Sequence, residues 1–178
     1  ITTDAWADAA PVWSPDGSHI AYVSVRDRVS GLYRKASNGT GSEELLYRDT
    51  TGGSMFLTDW SADGRVLCFW SADAIFVLPV GDRTPIELKR PDFGGRGGRL
   101  SPDGRFLAYN SDASGRFEVY VRPFDPSSNS AAPAAESQVS VQGGLGGIVW
   151  RQDEKELFYV SGTSVMAVDI TTTPAFQS

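Results

Sequence analysis

The chain has 178 residues, of which 40% are hydrophobic and 11% aromatic, so its composition is far from the low hydrophobicity of disordered chains and suits a well-cored domain. Its formal net charge of −6 disfavours nucleic acid as a partner, because an acidic surface repels a phosphate backbone. No apolar run reaches the roughly 18 residues of a membrane span, no signal-peptide pattern opens the chain, and a single cysteine excludes an intrachain disulfide.

A five-residue motif recurs along the chain at spacings of 47, 40 and 50 residues. Its copies are Trp13-Ser14-Pro15-Asp16-Gly17, Trp60-Ser61-Ala62-Asp63-Gly64, Leu100-Ser101-Pro102-Asp103-Gly104 and the divergent Trp150-Arg151-Gln152-Asp153-Glu154. After each motif an aliphatic residue and, two places later, an aromatic residue follow in constant register: Ile20 and Tyr22, Leu67 and Phe69, Leu107 and Tyr109, Leu157 and Tyr159. Four copies in one register predict a repeat architecture.

The spacing of two residues places these aliphatic and aromatic side chains on one face of a β-strand. The residues between them are also apolar, namely Ala21, Cys68, Ala108 and Phe158. A strand that is apolar on both faces is buried on both faces, as it is where sheets stack. First, third and fourth strands are expected around each of these second strands, and the last fourth strand is a short one at Ala175–Gln177.

Four strands per unit at this period predict an all-β fold, a β-propeller with four four-stranded antiparallel blades. The expected blades span about 1–49, 50–90, 91–142 and 143–178 of a single domain, 1–178. Propellers typically have about 4–8 blades, so four are few for a closed ring. We therefore expect either self-association that completes a ring or further blades outside this sequence, rather than a four-bladed monomer.

The motif itself is explained by chain reversal. Proline presets φ for a turn, aspartate tolerates the next position, and glycine occupies the site with positive φ. This interpretation accounts for the aspartates Asp16, Asp63, Asp103 and Asp153 without a metal site. Glu154 stands at the glycine position of the fourth copy, so that turn is expected to be either strained or differently shaped.

The Ser-Pro-Asp-Gly motif, followed by an apolar-Ala-Tyr triplet and a later apolar-Tyr-Val triplet, resembles the WD-like propeller repeat of the TolB family. Leu100–Arg105, Glu118–Phe124 and Lys155–Tyr159 also resemble the C-terminal propeller region of bacterial serine/threonine protein kinases. The resemblance implies a ring of about six to eight blades that serves as a sensory or scaffolding propeller, often outside the cytoplasm and sometimes attached to a kinase. The kinase motifs themselves, a glycine-rich loop with its lysine, His-Arg-Asp and Asp-Phe-Gly, do not occur in this sequence.

Two glycine-rich segments, Gly94–Gly98 and Gly143–Gly147, precede expected first strands. First strands line the axis of a propeller, where small residues fit the crowded chains, and this structural role is the leading interpretation. Glycines at a channel mouth also leave room for a ligand. If a small-molecule or peptide site exists, we expect it there, with Arg96, Arg99, Gly97 and Gly146 as the candidate ligand-binding residues.

Other residues favour structural roles. His19 has no second histidine with which to form a metal site, and Cys68 occupies a small apolar position that suits packing. The tryptophans Trp13, Trp60 and Trp150 share one repeat position and are expected in the core. The Pro/Ser/Ala-rich segment Pro123–Glu136 is expected to form a surface loop.

No catalytic residue, metal site or cofactor is predicted, and the chain is not expected to be an enzyme. The leading hypothesis is a non-catalytic propeller that binds a protein or peptide or serves as a scaffold, in the periplasm or outside the cell. The alternative is the gating propeller of a prolyl-oligopeptidase-type serine hydrolase whose catalytic domain is not in this sequence.

Overall fold

The structure is a computed structural model that describes residues 6–50, 52–88, 94–125, 136–172 and 175–178. These residues form β-strands and no helix, and they accordingly contain no helix long and apolar enough to span a membrane. The strands are β1 Ala7–Trp13, β2 His19–Arg26, β3 Val29–Ala36, β4 Glu44–Arg48, β5 Met55–Trp60, β6 Val66–Ser71, β7 Ala74–Pro79, β8 Ile86–Leu88, β9 Gly95–Leu100, β10 Phe106–Ser111, β11 Glu118–Pro123, β12 Ser137–Gln138, β13 Val149–Trp150, β14 Glu156–Ser161 and β15 Ser164–Asp169.

Consecutive strands form four antiparallel sheets, in the orders β1-β2-β3-β4, β5-β6-β7-β8, β9-β10-β11-β12 and β13-β14-β15. The predicted all-β architecture of successive blades is therefore confirmed. The fourth sheet has three strands among the described residues. The short strand expected at Ala175–Gln177 contributes only an isolated bridge between Gln177 and Thr171.

Among the described residues, three hydrophobic cores lie between successive blades, because each second strand is apolar on both faces. Leu67 and Phe69 of the second blade pack against Ala21 and Val23 of the first. The same relation recurs further along the chain, with Leu107 and Tyr109 against Val66 and Cys68, and Leu157 and Tyr159 against Phe106 and Ala108. In the second and third blades, one face of the second strand thus contacts the preceding blade and the other face contacts the following blade.

The motif aspartates stabilise turns, as predicted. In the second copy Ser61 Oγ donates to Asp63 at 2.7 Å, and the Arg65 amide donates to the same carboxylate at 3.0 Å. Gly64 has φ of 75° and Glu154, at the equivalent position, has φ of 57°. The fourth turn therefore keeps the left-handed conformation with a non-glycine residue, which costs on the order of 1 kcal/mol.

One core prediction is wrong: Trp13 is 58% exposed, whereas Trp60 is 8% and Trp150 is 9% exposed. This repeat position faces the preceding blade, and no described blade precedes the first. The Pro/Ser/Ala-rich segment predicted as a surface loop lies largely outside the described residues, since 126–135 are not described.

Candidate functional site

The first strands of the blades carry irregularities at one repeat position. The register of β1 shifts between Ala9 and Val12, that of β5 between Leu57 and Asp59, and that of β9 opposite Ala108 and Asn110. The residue three places before the motif tryptophan or leucine has positive φ in three blades: 51° at Ala10, 70° at Gly97 and 63° at Gly147. Bulges of this kind bend a strand and redirect its side chains, and they are frequent beside binding sites.

These irregular segments converge on one cleft of about 270 Å³. All four blades contribute the residues that precede their motif, and Asn110 and Gly146 complete the lining. The residues that precede the motifs are Ala10, Pro11, Val12, Leu57, Thr58, Gly97, Gly98, Arg99, Gly147, Ile148 and Val149. The cleft therefore lies where the first strands of the blades meet, the position of a propeller axis. We call it the axial cleft.

The glycines of the axial cleft have two different roles. A Cβ atom at Gly98 would lie 2.6 Å from Cys68 Sγ, and one at Gly147 would lie 2.6 Å from Val160 Cγ2, so close packing requires glycine at both positions. A Cβ at Gly146 would have no heavy atom within 4 Å. Gly146 therefore borders open space in the cleft, although its φ of 85° favours glycine.

Asn110 holds the glycine segment of the fourth blade against the third. Its side chain is buried, its Nδ2 donates to the Gly144 carbonyl at 2.9 Å, and its Oδ1 accepts from the Gly146 amide at 3.1 Å. Sequence reasoning missed this residue. The available signal was an asparagine at a repeat position that Val23, Trp70 and Val160 occupy in the other blades.

Arg99 supplies a cation at the edge of the axial cleft. Its guanidinium lies 3.3 Å from the Asp59 carboxylate, which also accepts the Leu100 amide at 2.7 Å. Burial raises the pKa of Asp59 and outweighs the opposing effects of the Leu100 amide and Arg99. Arg99 also lines a neighbouring cleft of about 390 Å³, to which Asp59 and Trp150 contribute.

Arg96 lies apart from the other predicted site residues. It pairs with Asp73, with Nε 3.1 Å from Oδ1, and its guanidinium lies 5.4 Å from the ring of Trp70 and 5.2 Å from that of Phe117. The bulge at Gly97–Gly98 separates it from Arg99 along β9. The structure thus brings Gly97, Arg99 and Gly146 together in the axial cleft and places Arg96 outside its lining.

The remaining chemically interesting side chains have structural surroundings. His19 lies on β2 with Nδ1 2.7 Å from Ser18 Oγ. Cys68 is fully buried, and burial raises the pKa of its thiol to about 12, so the thiolate needed for nucleophilic attack is not formed near neutral pH. In the described ranges no three His, Cys, Asp or Glu side chains are grouped so that they could hold a metal ion.

Comparisons with known proteins establish the class of fold. The chain superimposes on a putative TolB from Agrobacterium tumefaciens with a TM-score of 0.72 at 19% identity, over 89% of this chain and 56% of that one. For TolB from Acinetobacter baumannii the TM-score is 0.73 at 20% identity, over 94% and 42%. A puromycin-hydrolyzing peptidase from Mycobacterium tuberculosis gives 0.69 at 20% identity, over 99% and 29%.

The fold and the axial cleft define a β-propeller segment. More particularly, its fold is that of the TolB-like propellers, as the resemblance in sequence implies. The chain spans between about two fifths and three fifths of the TolB structures that it matches. No protein-family model matches it, and neither does any curated protein.

Proposed function

We propose that this chain is a non-catalytic binding module that takes a peptide segment of a partner protein into the axial cleft. The observation that carries the proposal is that all four blades line one cleft with the residues directly before their motif. Since the inner strands are held between packed blades, the cleft is preformed, which reduces the entropic cost of binding. A lining of mixed polarity with one cation, Arg99, fits a peptide backbone with mixed side chains.

Charge and openness indicate how a peptide would be held. Arg99 is 44% exposed at its side chain and already compensated by Asp59, so it offers its remaining N–H groups to a carbonyl or carboxylate without an isolated buried charge. Val149 is exposed beside it, and Gly146 borders open space. An extended peptide with an apolar side chain next to a polar one would use each of these features.

A peptide selection with cleft variants tests the proposal. Random heptapeptides displayed on phage are selected against the chain, and the affinities of the recovered peptides are measured for Arg99→Gln and Gly146→Asn. Arg99→Gln removes the charge, and Gly146→Asn adds a side chain in open space with a residue that tolerates positive φ. We expect each to weaken binding by about tenfold or more.

The matched control is Arg28→Gln in the exposed turn between β2 and β3, which is expected to bind as the unaltered chain does. Melting curves verify that every variant is folded. Recovered peptides that bind the cleft variants unchanged would contradict the proposal, and so would a selection that recovers none.

The alternative function is the gating propeller of a serine hydrolase. The likeness to the mycobacterial peptidase favours it, because almost all of this chain matches one part, 29%, of that larger protein. The sequence resemblance instead favours a kinase-linked sensor outside the cytoplasm. Labelling the natural full-length protein distinguishes the two. A fluorophosphonate that labels a serine outside residues 1–178 supports the gate, and an ATP acyl-phosphate that labels a lysine there supports the kinase.

Ring completion by a second copy or by further blades is part of the same proposal. The exposed Trp13 at one end of the array and Val165 at the other are the apolar positions that such a neighbour would cover. Light scattering of the 19.2 kDa chain tests self-association, because a stable monomer would contradict it.

A further inference from the structure

The cleft of about 390 Å³ next to the axial cleft is a separate place for part of a ligand. Arg99, Ile148 and Val149 line both clefts, so the two adjoin at these residues. The other lining residues come from β5, β9, β13 and the motif turns that follow them: Asp59, Trp60, Ala62, Leu100, Ser101, Pro102, Trp150 and Gln152. We call this the tryptophan cleft.

The walls of the tryptophan cleft are fixed by contacts inside the array of blades. Leu100 packs in the core between the second and third blades, and Trp150 packs in the core between the third and fourth. The shape of the cleft therefore depends on junctions that are complete in this chain.

The tryptophan cleft lies beside the one motif copy that begins with leucine. The first, second and fourth copies begin with Trp13, Trp60 and Trp150, and the third begins with Leu100. An isobutyl side chain fills less space than an indole, so the third blade fills less of the space at its motif than the other blades do. Trp60 and Trp150, from the two neighbouring blades, border the space that is left.

The two tryptophan rings present apolar surface to this cleft, because their N–H groups already have acceptors. Trp60 Nε1 donates to the Gly64 carbonyl at 3.0 Å, and Trp150 Nε1 donates to the Arg99 carbonyl at 2.9 Å. The Arg99 guanidinium is partly exposed and has N–H groups to offer to a further acceptor. The tryptophan cleft thus combines ring surface with a cation that it shares with the axial cleft.

We propose that the peptide bound in the axial cleft extends past Arg99 into the tryptophan cleft and places an aromatic side chain there. This inference rests on the proposed function and names the residue type that the site selects. Aromatic rings pack against indoles in offset or edge-to-face arrangements, and such pairs bind more tightly than the buried area alone accounts for. Arg99 would donate to a main-chain carbonyl where the peptide passes from one cleft to the other.

Two phage libraries of random heptapeptides test the preference for a ring. One library contains all residue types, and the other omits phenylalanine, tyrosine and tryptophan. Both are selected against the unaltered chain, and the affinities of the recovered peptides are measured. We expect the best aromatic-free peptides to bind at least about tenfold more weakly than the best peptides of the complete library, because they lose the ring–ring contacts and the buried ring area. Equal affinities would overturn the inference.

Blocking variants test where the ring binds. Ala62 and Gln152 are exposed, line the tryptophan cleft and do not line the axial cleft. Ala62→Trp and Gln152→Trp each place an indole in the tryptophan cleft and should weaken the aromatic peptides about tenfold or more. Ala62→Pro and Gln152→Pro are the matched controls, since Pro15 and Pro102 occupy the same motif position, and they should bind as the unaltered chain does. Melting curves verify that all four variants are folded.

NMR gives a readout that does not depend on these substitutions. The aromatic peptides should shift the indole N–H signals of Trp60 and Trp150, and the signal of Trp13, which lines neither cleft, should stay in place. Peptides that are weakened by Gly146→Asn, but not by either tryptophan variant, and that leave both indole signals unshifted would overturn this inference and leave the proposed function standing. A selection that recovers no peptide from either library would overturn both.

Discussion

The junctions between blades and the two ends of the array contain the same repeat positions in opposite surroundings. Trp60 is 8% exposed at the first junction, and its counterpart Trp13 at the start of the array is 58% exposed. Ile75 is 3% exposed at the second junction, and Val165 in the last blade is 73% exposed. In a repeat fold a side chain is therefore buried by its neighbour in the array rather than by its own blade.

The end of the array at the first blade is partly covered by polar side chains. The Tyr22 hydroxyl donates to Glu43 at 2.5 Å, Arg26 pairs with the same carboxylate at 2.6 Å, and its guanidinium lies 3.9 Å from the ring of Tyr33. Tyr22 is buried in consequence. At the other end of the array, the side chains of β15 are largely exposed instead.

The largest expected effect comes from replacing with alanine the two tryptophans that share one repeat position, Trp60 and Trp13. Trp60→Ala removes a buried ring and its Nε1 hydrogen bond to the Gly64 carbonyl at 3.0 Å, so we expect a loss of about 3–5 kcal/mol in the free energy of unfolding. Trp13→Ala should cost less than about 1 kcal/mol, since the ring is largely in water already. Urea unfolding measures both losses of free energy. Equal losses would contradict the conclusion that the neighbouring blade determines how much this tryptophan stabilises the fold.

The second expected effect concerns Glu118 and Ser164, which occupy one hairpin position opposite Ser111 and Ser161. Glu118 is fully buried and accepts hydrogen bonds from Ser140, the Gly143 amide and Arg116, whereas Ser164 is exposed. Glu118→Gln should cost about 2–4 kcal/mol of unfolding free energy, because three hydrogen-bond donors lose a buried charged acceptor. Ser164→Ala should stay within about 0.5 kcal/mol of the unaltered chain.

The stabilisation that Glu118 provides is expected to decrease as the pH is lowered. Burial alone would raise the pKa of Glu118, but hydrogen bonds from Ser140, the Gly143 amide and Arg116 outweigh it and hold the pKa below its usual value of 4.5. The ionised carboxylate therefore stabilises the fold above about pH 4.5, and that stabilisation is lost as the pH falls through the lowered pKa. The difference between the unaltered chain and Glu118→Gln should shrink over this range, and a difference that grows on acidification would refute the assignment.

The sequence allowed prediction of strand order and of the turn role of Asp63, because both follow from spacing and turn chemistry. It left open whether the turn at Glu154 is strained or differently shaped, and the structure shows a positive φ there. The sequence also indicated that Gly97, Arg99 and Gly146 lie near the axis, and all three line the axial cleft. The exposure of Trp13 and the single-sided pairing of β15 depend on neighbours that a local pattern does not contain. Arg96 lies three residues before Arg99 in the sequence, but the bulge at Gly97–Gly98 separates their side chains, and only Arg99 lines the axial cleft.

The smallest expected effect concerns the turn between β2 and β3. It tests whether the stability gained by relieving a strained turn is independent of the packing between blades. Asp27 and Arg28 form the two-residue turn between β2 and β3 with φ of 51° and 65°, a conformation that favours Asp-Gly. Arg28→Gly should raise the free energy of unfolding by about 0.5–1 kcal/mol, whereas the control Arg28→Ala keeps the backbone cost and should gain nothing. Because this turn is exposed to water, the gain should be the same in a chain that also carries Trp60→Ala. Urea unfolding of the single and double variants measures this additivity, and a gain that disappears in the double variant would show that the turn depends on the junction after all.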